Sequence, residues 1–392
     1  MERIADRAQR LLNDIVTFWK NLRDDACGGY YGYLSQNLQL NRQAEKGCIL
    51  NSRILWFFSE AAMLTGRDDL RSEADHAYRF LTEHCIDTQY GGVFWSVNYD
   101  GSVLDDSKHT YNQAFAIYAL SSYYLLTKKA EALDHALSLF ELMEGKCCDS
   151  EGYLESFTRD WQPHSNEKLS ENGVLAGRTM NTLLHVFEGC ANLYRCSGAP
   201  HAAQAMHRCL DIFSEKIYDP LLHRQKVFFD MHYRSLIDLY SYGHDIETSW
   251  LVDDGVRLLK DAALTAKIEA IDTELAKAVY LHAYRDHSIA NECDRGTVDE
   301  TRVWWVQAEA VLGFVNLWSK CPEDKYKQAA ADILEYICEK MIDKRPGSEW
   351  FWCLDAQGTP IPGKPIVEPW KCPYHNGRMC MELIRRDPDI YV

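Results

Sequence analysis

Two helical patterns alternate along the chain. One is amphipathic and Ala-rich, with charges on its outer face, at residues 70–85, 130–146, 200–216, 267–284 and 324–341, and residues 1–22 read the same way. The other is apolar on nearly every side and opens on a polar or aromatic cluster, at 51–64, 110–126, 179–194, 244–259, 301–318 and 375–384. An amphipathic stripe buries one face of a helix, whereas a helix apolar all round is buried all round. Six enclosed helices inside six enclosing ones are therefore expected. Aromatic stretches with Gly or Asp turn residues, at 27–37, 90–102, 151–161 and 348–358, predict short β-hairpins after the amphipathic segments.

The enclosed helices carry landmarks about 60 to 70 residues apart, namely Arg53, Tyr111, Asn181, His244, Trp305 and His375. Repeats usually stack into open solenoids that need capping units. Six helical hairpins can instead close on themselves, which removes that need. The expected fold is all-α, an (α/α)6 barrel with six inner and six outer helices, formed by a single catalytic domain over 1–392. Its aromatic hairpins gather at one end. The polar residues lie in the first turns of the inner helices, so Arg53, Tyr111, Asn181, His185, His244, Glu247, Trp305, Glu309 and His375 should converge on one pocket at that end.

Charge narrows the partner. The net charge of -16 excludes nucleic acid and anionic membrane surfaces, which need clustered basic residues. No run reaches the roughly 18 apolar residues of a membrane span. The opening segment contains acids and reads as an amphipathic helix, not a signal peptide. Fourteen cysteines without a C-x-x-C pair read as reduced thiols of a cytoplasmic protein. Eleven tryptophans and 22 tyrosines suit either a neutral small molecule such as a sugar or a large aromatic core. The oligomeric state stays open, and a monomer is compatible with everything above.

In "SYGHDIETSW" a spacing of three puts His244, Glu247 and Trp250 near one helix face. Three readings compete: a metal site, a buried structural pair, or a general base held against a flat substrate. Helical metal sites declare themselves as H-E-x-x-H or paired E-x-x-H, and neither occurs, so no metal is expected. A carboxylate beside an imidazole fixes its tautomer and raises its basicity, which favours the base. His375, in "WKCPYHNGRM", opens the last inner helix across the ring from His244. His185 shares a face with Asn181, as a ligand contact or a satisfied core histidine. Arg53 sits in an apolar run and needs a compensating anion, for which Glu309 is a candidate. Trp305 lies on the face of Glu309, leaving Trp304 to the core. Trp370, in a loop, reads as a binding wall, and Trp250 as part of the pocket lining. No phosphate loop, Rossmann fingerprint or G-x-S-x-G elbow is present.

The ordered set "NSR", "HTYNQAFAIYAL", "MNTLLHVFE", "HDIETSWL", "VWWVQAEA" and "WKCPYHNGRM" resembles the N-acylglucosamine 2-epimerase superfamily over essentially the whole chain. Within it the likeness is greatest to the cellobiose 2-epimerase branch, which "KCPYHN" favours over the monosaccharide branches. The resemblance implies an (α/α)6 barrel and a cofactor-free isomerase that moves the proton at C2 of an unprotected sugar. It would interconvert the reducing-end glucose and mannose of β-1,4-linked disaccharides such as cellobiose and lactose. It implies His244 and His375 as acid/base pair, Arg53 near the reacting carbons, and Glu247 and Glu309 as catalytic carboxylates. Tyr111, Asn181, His185, Trp305 and Trp370 would contact sugar. On this reading Glu247 orients His244. The rivals are an aldose–ketose isomerase, an N-acylglucosamine or mannose 2-epimerase, a sugar-binding module, and an inverting glycosidase. The last needs two carboxylates roughly 6.5–9.5 Å apart, for which Glu247 and Glu309 are available.

Overall fold

A computed structural model describes residues 2–169 and 172–392. Twelve α-helices among these residues form two concentric rings. The inner helices are α2 (Cys48–Thr65), α4 (Thr110–Thr127), α6 (Met180–Ser197), α8 (Tyr242–Val256), α10 (Trp304–Lys320) and α12 (His375–Arg386). Each packs on the next, and α12 returns to α2. The outer helices are α1 (Ile4–Lys20), α3 (Asp68–Phe80), α5 (Ala130–Cys147), α7 (Pro200–Ile212), α9 (Ala262–Ala283) and α11 (Asp324–Tyr336). Five of them lie against the inner helix that precedes them in the chain, and α1 lies against α12. The chain ends are tied where the ring closes: Glu2 N donates to Val392 O at 2.8 Å and Ile4 N to Ile390 O at 3.0 Å. This is the expected (α/α)6 barrel.

The patterns explain the layering. In α2 every residue from Cys48 to Ala62 is buried, Arg53 and Glu60 included. Outer helices bury one stripe, as in α1, where Ile4, Ala8, Leu11, Leu12, Ile15 and Trp19 face inward. Neighbouring inner helices approach closely where a side chain is missing. A Cβ on Gly189 would stand 2.8 Å from the backbone oxygen of Ala114, so α4 and α6 meet at that distance only with glycine. No described helix is long and apolar enough to cross a membrane.

Connection lengths make the two ends of the barrel unlike. Inner helices pass to outer ones through tight turns, and Gly66 and Gly198 end α2 and α6 in the left-handed conformation (φ 67° and 68°). Outer helices return to inner ones through long segments, all at the end where the inner helices begin. The expected hairpins lie there, and Ser96–Val97 does turn back antiparallel on Val103–Asp105, but most pairing runs between repeats. Lys46–Gly47, Lys108–His109, Arg178–Thr179, Leu239–Ser241 and Arg302–Val303 lead into inner helices. Each is antiparallel to a strand of the following repeat, beginning at Ser96, Ser156, Phe228, Glu292 and Cys353 respectively. A Leu34–Val367 bridge supplies the sixth link. Two-residue strands are too short to stand alone and take their partner from the neighbouring unit. Segment 27–37 holds only isolated bridges.

A buried cation seals three of these junctions. Lys46 Nζ donates to Asp24 (2.7 Å) and Gly28 O (2.7 Å), Lys108 Nζ to Asp87 (3.0 Å) and Gly91 O (2.7 Å), and Arg178 to Asp149 (2.6 Å). The same aspartates cap the turns after α1, α3 and α5 through backbone N–H groups. Helix starts differ from the expected ones by a few residues. In α9 the start moves from 267 to Ala262, because Asp261 caps Ala263 N and Leu264 N at 3.0 Å. Asp261→Ala should cost about 1 kcal/mol in urea unfolding and leave turnover unchanged, since this exposed cap is remote from the inner-helix starts. An altered turnover would show that α9 communicates with the pocket.

Candidate active site

The long connections surround a cavity of about 420 Å³ at the N-terminal ends of the inner helices. Arg53, Tyr111, Asn181, His185, His244, Glu247, Trp305, Trp370 and His375 all line it. Six inner helices and one loop thus bring residues distant in sequence to one place. Glu309 does not line it. This residue is fully buried, one turn deeper on α10 than Trp305.

His375 is the first residue of α12, and its Nδ1 donates to Glu309 Oε1 at 2.7 Å. Glu309 Oε2 accepts from Trp250 Nε1 at 2.9 Å. Trp305 lies between two imidazoles, its ring 4.8 Å from that of His244 and 5.3 Å from that of His375. His244 Nδ1 is 2.7 Å from Ser241 Oγ, the residue just before α8. Burial, with His185 nearby, pushes His244 down to about 3. Burial together with the Arg378 and Arg53 guanidinium groups holds His375 well below the usual 6.5. Both imidazoles are therefore neutral at pH 7 and hold a free lone pair.

Beneath them sits Arg378, which no sequence pattern had singled out. Its Nη2 donates to Glu309 Oε1 at 2.7 Å and to Glu247 Oε1, and its Nη1 to Glu188 Oε1 at 2.8 Å and to Tyr374 OH. Tyr374 OH donates to Glu188 Oε2 at 2.5 Å, and His185 Nδ1 donates to the same oxygen at 2.9 Å. Three buried carboxylates thus share one guanidinium. Burial opposes ionisation of Glu188, yet Arg378, His185 and Tyr374 pull it down to about 2. Glu247 goes the other way, pushed up to about 7 by burial and by Glu309. Burial also raises Glu309, against Arg378.

Three expected partnerships are corrected. Glu247 does not orient His244: a helical step of three carries it a turn deeper, to Arg378, and Ser241 takes the imidazole. Glu309 does not compensate Arg53, because it faces α12. Arg53 instead donates to Tyr111 OH at 2.8 Å and lies over the rings of Phe115 (4.2 Å) and Tyr374 (4.8 Å). An aromatic cage offsets part of the cost of burying its charge. Among the described residues no carboxylate pairs with Arg53, and its Nε has no partner. Trp250 is not pocket lining. It is buried behind Glu309, its ring 4.9 Å from the Arg378 guanidinium. Trp304 is buried against Trp352, as expected of a core residue, yet it lines the cavity as well. Trp370 is half-buried, edge-on to Tyr111 and Trp95. Asn181 Oδ1 has no protein partner among the described residues.

Glu188, Tyr374 and Arg378 were missed, though a signal existed. The H-x-x-E spacing of His244 and Glu247 recurs in "HVFE" at His185 and Glu188, and only there is it a hydrogen bond. Donor atoms of Glu247, Glu309 and His375 lie within 4.8 Å of one another, a grouping a cation could exploit. Arg378 already bonds to both carboxylates there, so a divalent ion would meet a buried positive charge.

The match to known proteins agrees with this geometry. The family model described as N-acylglucosamine 2-epimerase (GlcNAc 2-epimerase) matches residues 29–376. A cellobiose 2-epimerase of Eubacterium cellulosolvens is 47% identical over 398 residues, covering 97% of this chain and 98% of the relative. A sugar epimerase from a ruminal bacterium has a solved structure with TM-score 0.98 and 45% identity, over 99% of this chain and 100% of that one. The structure of cellobiose 2-epimerase from Bacillus thermoamylovorans gives 0.94 and 43%, over 98% and 99%. With a six-helix inner ring, a pocket holding three histidines and an uncompensated arginine, and a family match over most of its length, the chain belongs to the N-acylglucosamine 2-epimerase family.

Proposed function

We propose that the protein is a 2-epimerase interconverting the reducing-end glucose and mannose of β-1,4-linked disaccharides such as cellobiose, with residues 1–392 acting as one catalytic unit. The observation that carries this is a pair of neutral imidazoles, His244 and His375, on either side of Trp305 in a cavity shared with Arg53. One imidazole takes the C2 proton of the open-chain aldose. The C2–H electron pair moves into C1–C2, and charge collects on O1 as a cis-enediolate. Arg53, lacking a protein carboxylate, is free to take that charge. The other imidazole, protonated from solvent water, gives that proton to the opposite face of C2, and the first passes the C2 proton to solvent. Glu309 fixes His375 with Nδ1 protonated, so Nε2 is its basic atom. The relatives named cellobiose 2-epimerase support the disaccharide as substrate.

The inverting glycosidase is disfavoured. Glu247 and Glu309 both bond to one nitrogen of Arg378, much closer than the roughly 6.5–9.5 Å that such enzymes need. Fourteen free cysteines support a reducing, cytoplasmic location. The decisive experiment is NMR of cellobiose with the protein in D2O after dialysis against EDTA. Deuterium at C2 with a mannose-ended product is expected. A ketose product would mean an isomerase, free glucose a hydrolase, and no change a binding protein or a need for metal, which adding divalent ions would reveal.

Trp370→Ala should weaken use of cellobiose more than use of glucose or mannose, by roughly 1–3 kcal/mol in kcat/KM, because a half-buried indole at the rim offers a stacking face for the second sugar. Equal losses on both would place the indole at the reacting ring instead.

A further inference from the structure

We propose that Glu349 is a positioning residue that sets His375 from behind the turn that carries it, an inference resting on the epimerase reading above. Residues 370–376 run from the rim indole Trp370 to the base His375. Their front faces the cavity, where Arg53 Nη1 donates to Trp370 O at 3.4 Å. Their back rests on one carboxylate. Lys371, beside Trp370, donates through Nζ to Glu349 Oε2 at 2.7 Å. Asn376, beside His375, donates through Nδ2 to Glu349 Oε1 at 2.8 Å. Trp19 Nε1 of α1 (3.2 Å) and Trp350 N (3.0 Å) complete the set. Four donors thus fill a carboxylate that is buried and does not line the cavity.

The chain's own repeats set this junction apart from the other ion-paired ones. After α1, α3 and α5 the aspartate N–H closes the turn on a glycine oxygen, Asp24 on Gly29, Asp87 on Gly92 and Asp149 on Gly152, at 2.8–2.9 Å. The aspartate side chain there takes the junction cation. After α11 the same bond runs from Asp343 N to Glu349 O at 2.9 Å, so a glutamate stands where the other turns have glycine. The side chain of Asp343 goes to Arg345 and Ser348, and the cation, Lys371, goes to Glu349. A glycine has no side chain with which to reach the helix start, whereas Glu349 reaches it at Asn376. This junction feeds α12, the inner helix whose first residue is a pocket base.

Two supports then define one imidazole. Glu309 holds Nδ1, and Glu349 holds the backbone from which the side chain hangs. The first alone sets the tautomer but lets the ring pivot about its hydrogen bond, and a displacement of about 1 Å near a reacting atom can cost about 100-fold. Glu349→Gln keeps the size but has a single acceptor oxygen. That oxygen goes to the Lys371 ammonium, the costlier group to leave unpaired. The amide N–H groups then confront the donors of Asn376 and Trp19.

The test compares variants with wild type and with His375→Ala. Each is measured for kcat and KM on cellobiose, for its urea midpoint, and for C2 deuterium exchange in the glucose-ended and mannose-ended disaccharides separately. Glu349→Gln should lower kcat about 10- to 100-fold. KM should stay within about threefold, because Lys371 keeps its acceptor and Trp370 its place. The ratio of exchange in the two epimers should shift about tenfold or more, in the direction in which His375→Ala shifts it. Asn376→Ala leaves Lys371 on Glu349 and should shift the ratio the same way, which keeps the question answerable if Glu349→Gln folds poorly. Trp19→Phe removes a donor to the same carboxylate from the α1 side. It should lower the urea midpoint while kcat and the ratio stay within about threefold. The proposal is overturned by an unchanged kcat, by a lower kcat with an unchanged ratio, or by an equal loss in Trp19→Phe. Failure of the epimerase reading shows separately, as no mannose-ended product from wild type.

Discussion

Alanine at either His244 or His375 should lower epimerisation of cellobiose by at least 10²- to 10⁴-fold, the range typical of a lost general acid or base. Both variants should fold. His244→Ala frees only the Ser241 hydroxyl, at the cavity wall. His375→Ala leaves Glu309 still held by Arg378 at 2.7 Å and Trp250 at 2.9 Å, so no carboxylate is orphaned. The two losses should differ in kind. If each imidazole serves one face of C2, the survivor can still remove and return a proton on its own side. Each variant should therefore exchange solvent deuterium into only one epimer, and the epimer should differ between the two. Near wild-type turnover in either variant, or exchange into both epimers, would show that a single base does all the work.

The ring was legible because burial leaves a periodic record. Helices such as α2 and α4 lack a polar face, while α1 and α3 have one, and six of each admit few arrangements. The collection of polar residues at one end followed from their placement in first turns. What was not legible was who holds whom. Spacing fixes where a side chain stands around its own helix but not which neighbour meets it. His375 and Glu309 are 66 residues apart, Glu247 and Arg378 131, and Glu188 and Arg378 190. Those meetings depend on ring closure and on how far along its axis each inner helix is placed. Hence Glu247 was given to His244 on local spacing, and Arg53 to Glu309 on charge alone. Arg378 itself sits in "HNGRM" with nothing nearby to mark it as buried. Lys46 and Lys108 were hidden for the same reason, since their aspartates lie about 20 residues away across a loop. Local motifs thus found the residues of the pocket better than the bonds beneath it.

Arg378→Met should be the most damaging single change, for stability and for catalysis together. The guanidinium is 2% exposed and bonds to Glu188, Glu247 and Glu309, each 6% exposed or less. Methionine keeps the stem in place and removes the charge. Taking one partner from a buried ion pair typically costs about 3–5 kcal/mol, and here three carboxylates lose the same partner. Glu188 would respond by taking up a proton, and Glu247 and Glu309, which burial already raises, would rise further, which fixes the sign of the pH dependence. In wild type Glu188 titrates near 2, below its ordinary 4.5. It therefore adds stability that is present above 4.5 and fades as the pH falls toward 2. In wild type Glu247 and Glu309 already titrate above 4.5 when folded, and in the variant Glu188 joins them. Folding then takes up protons, and stability falls as the pH rises beyond 4.5. The deficit in urea unfolding should accordingly be largest near pH 8 and shrink toward about pH 5. Turnover should fall as well, because Glu188 and Glu309 no longer hold the Nδ1 atoms of His185 and His375 as acceptors of fixed charge. Arg378→Lys keeps one charge but cannot reach three carboxylates with a planar fork, and should recover stability more than turnover. A deficit under about 1 kcal/mol at pH 8, or one equal at pH 5 and pH 8, would mean that Glu188 does not depend on this arginine for its charge.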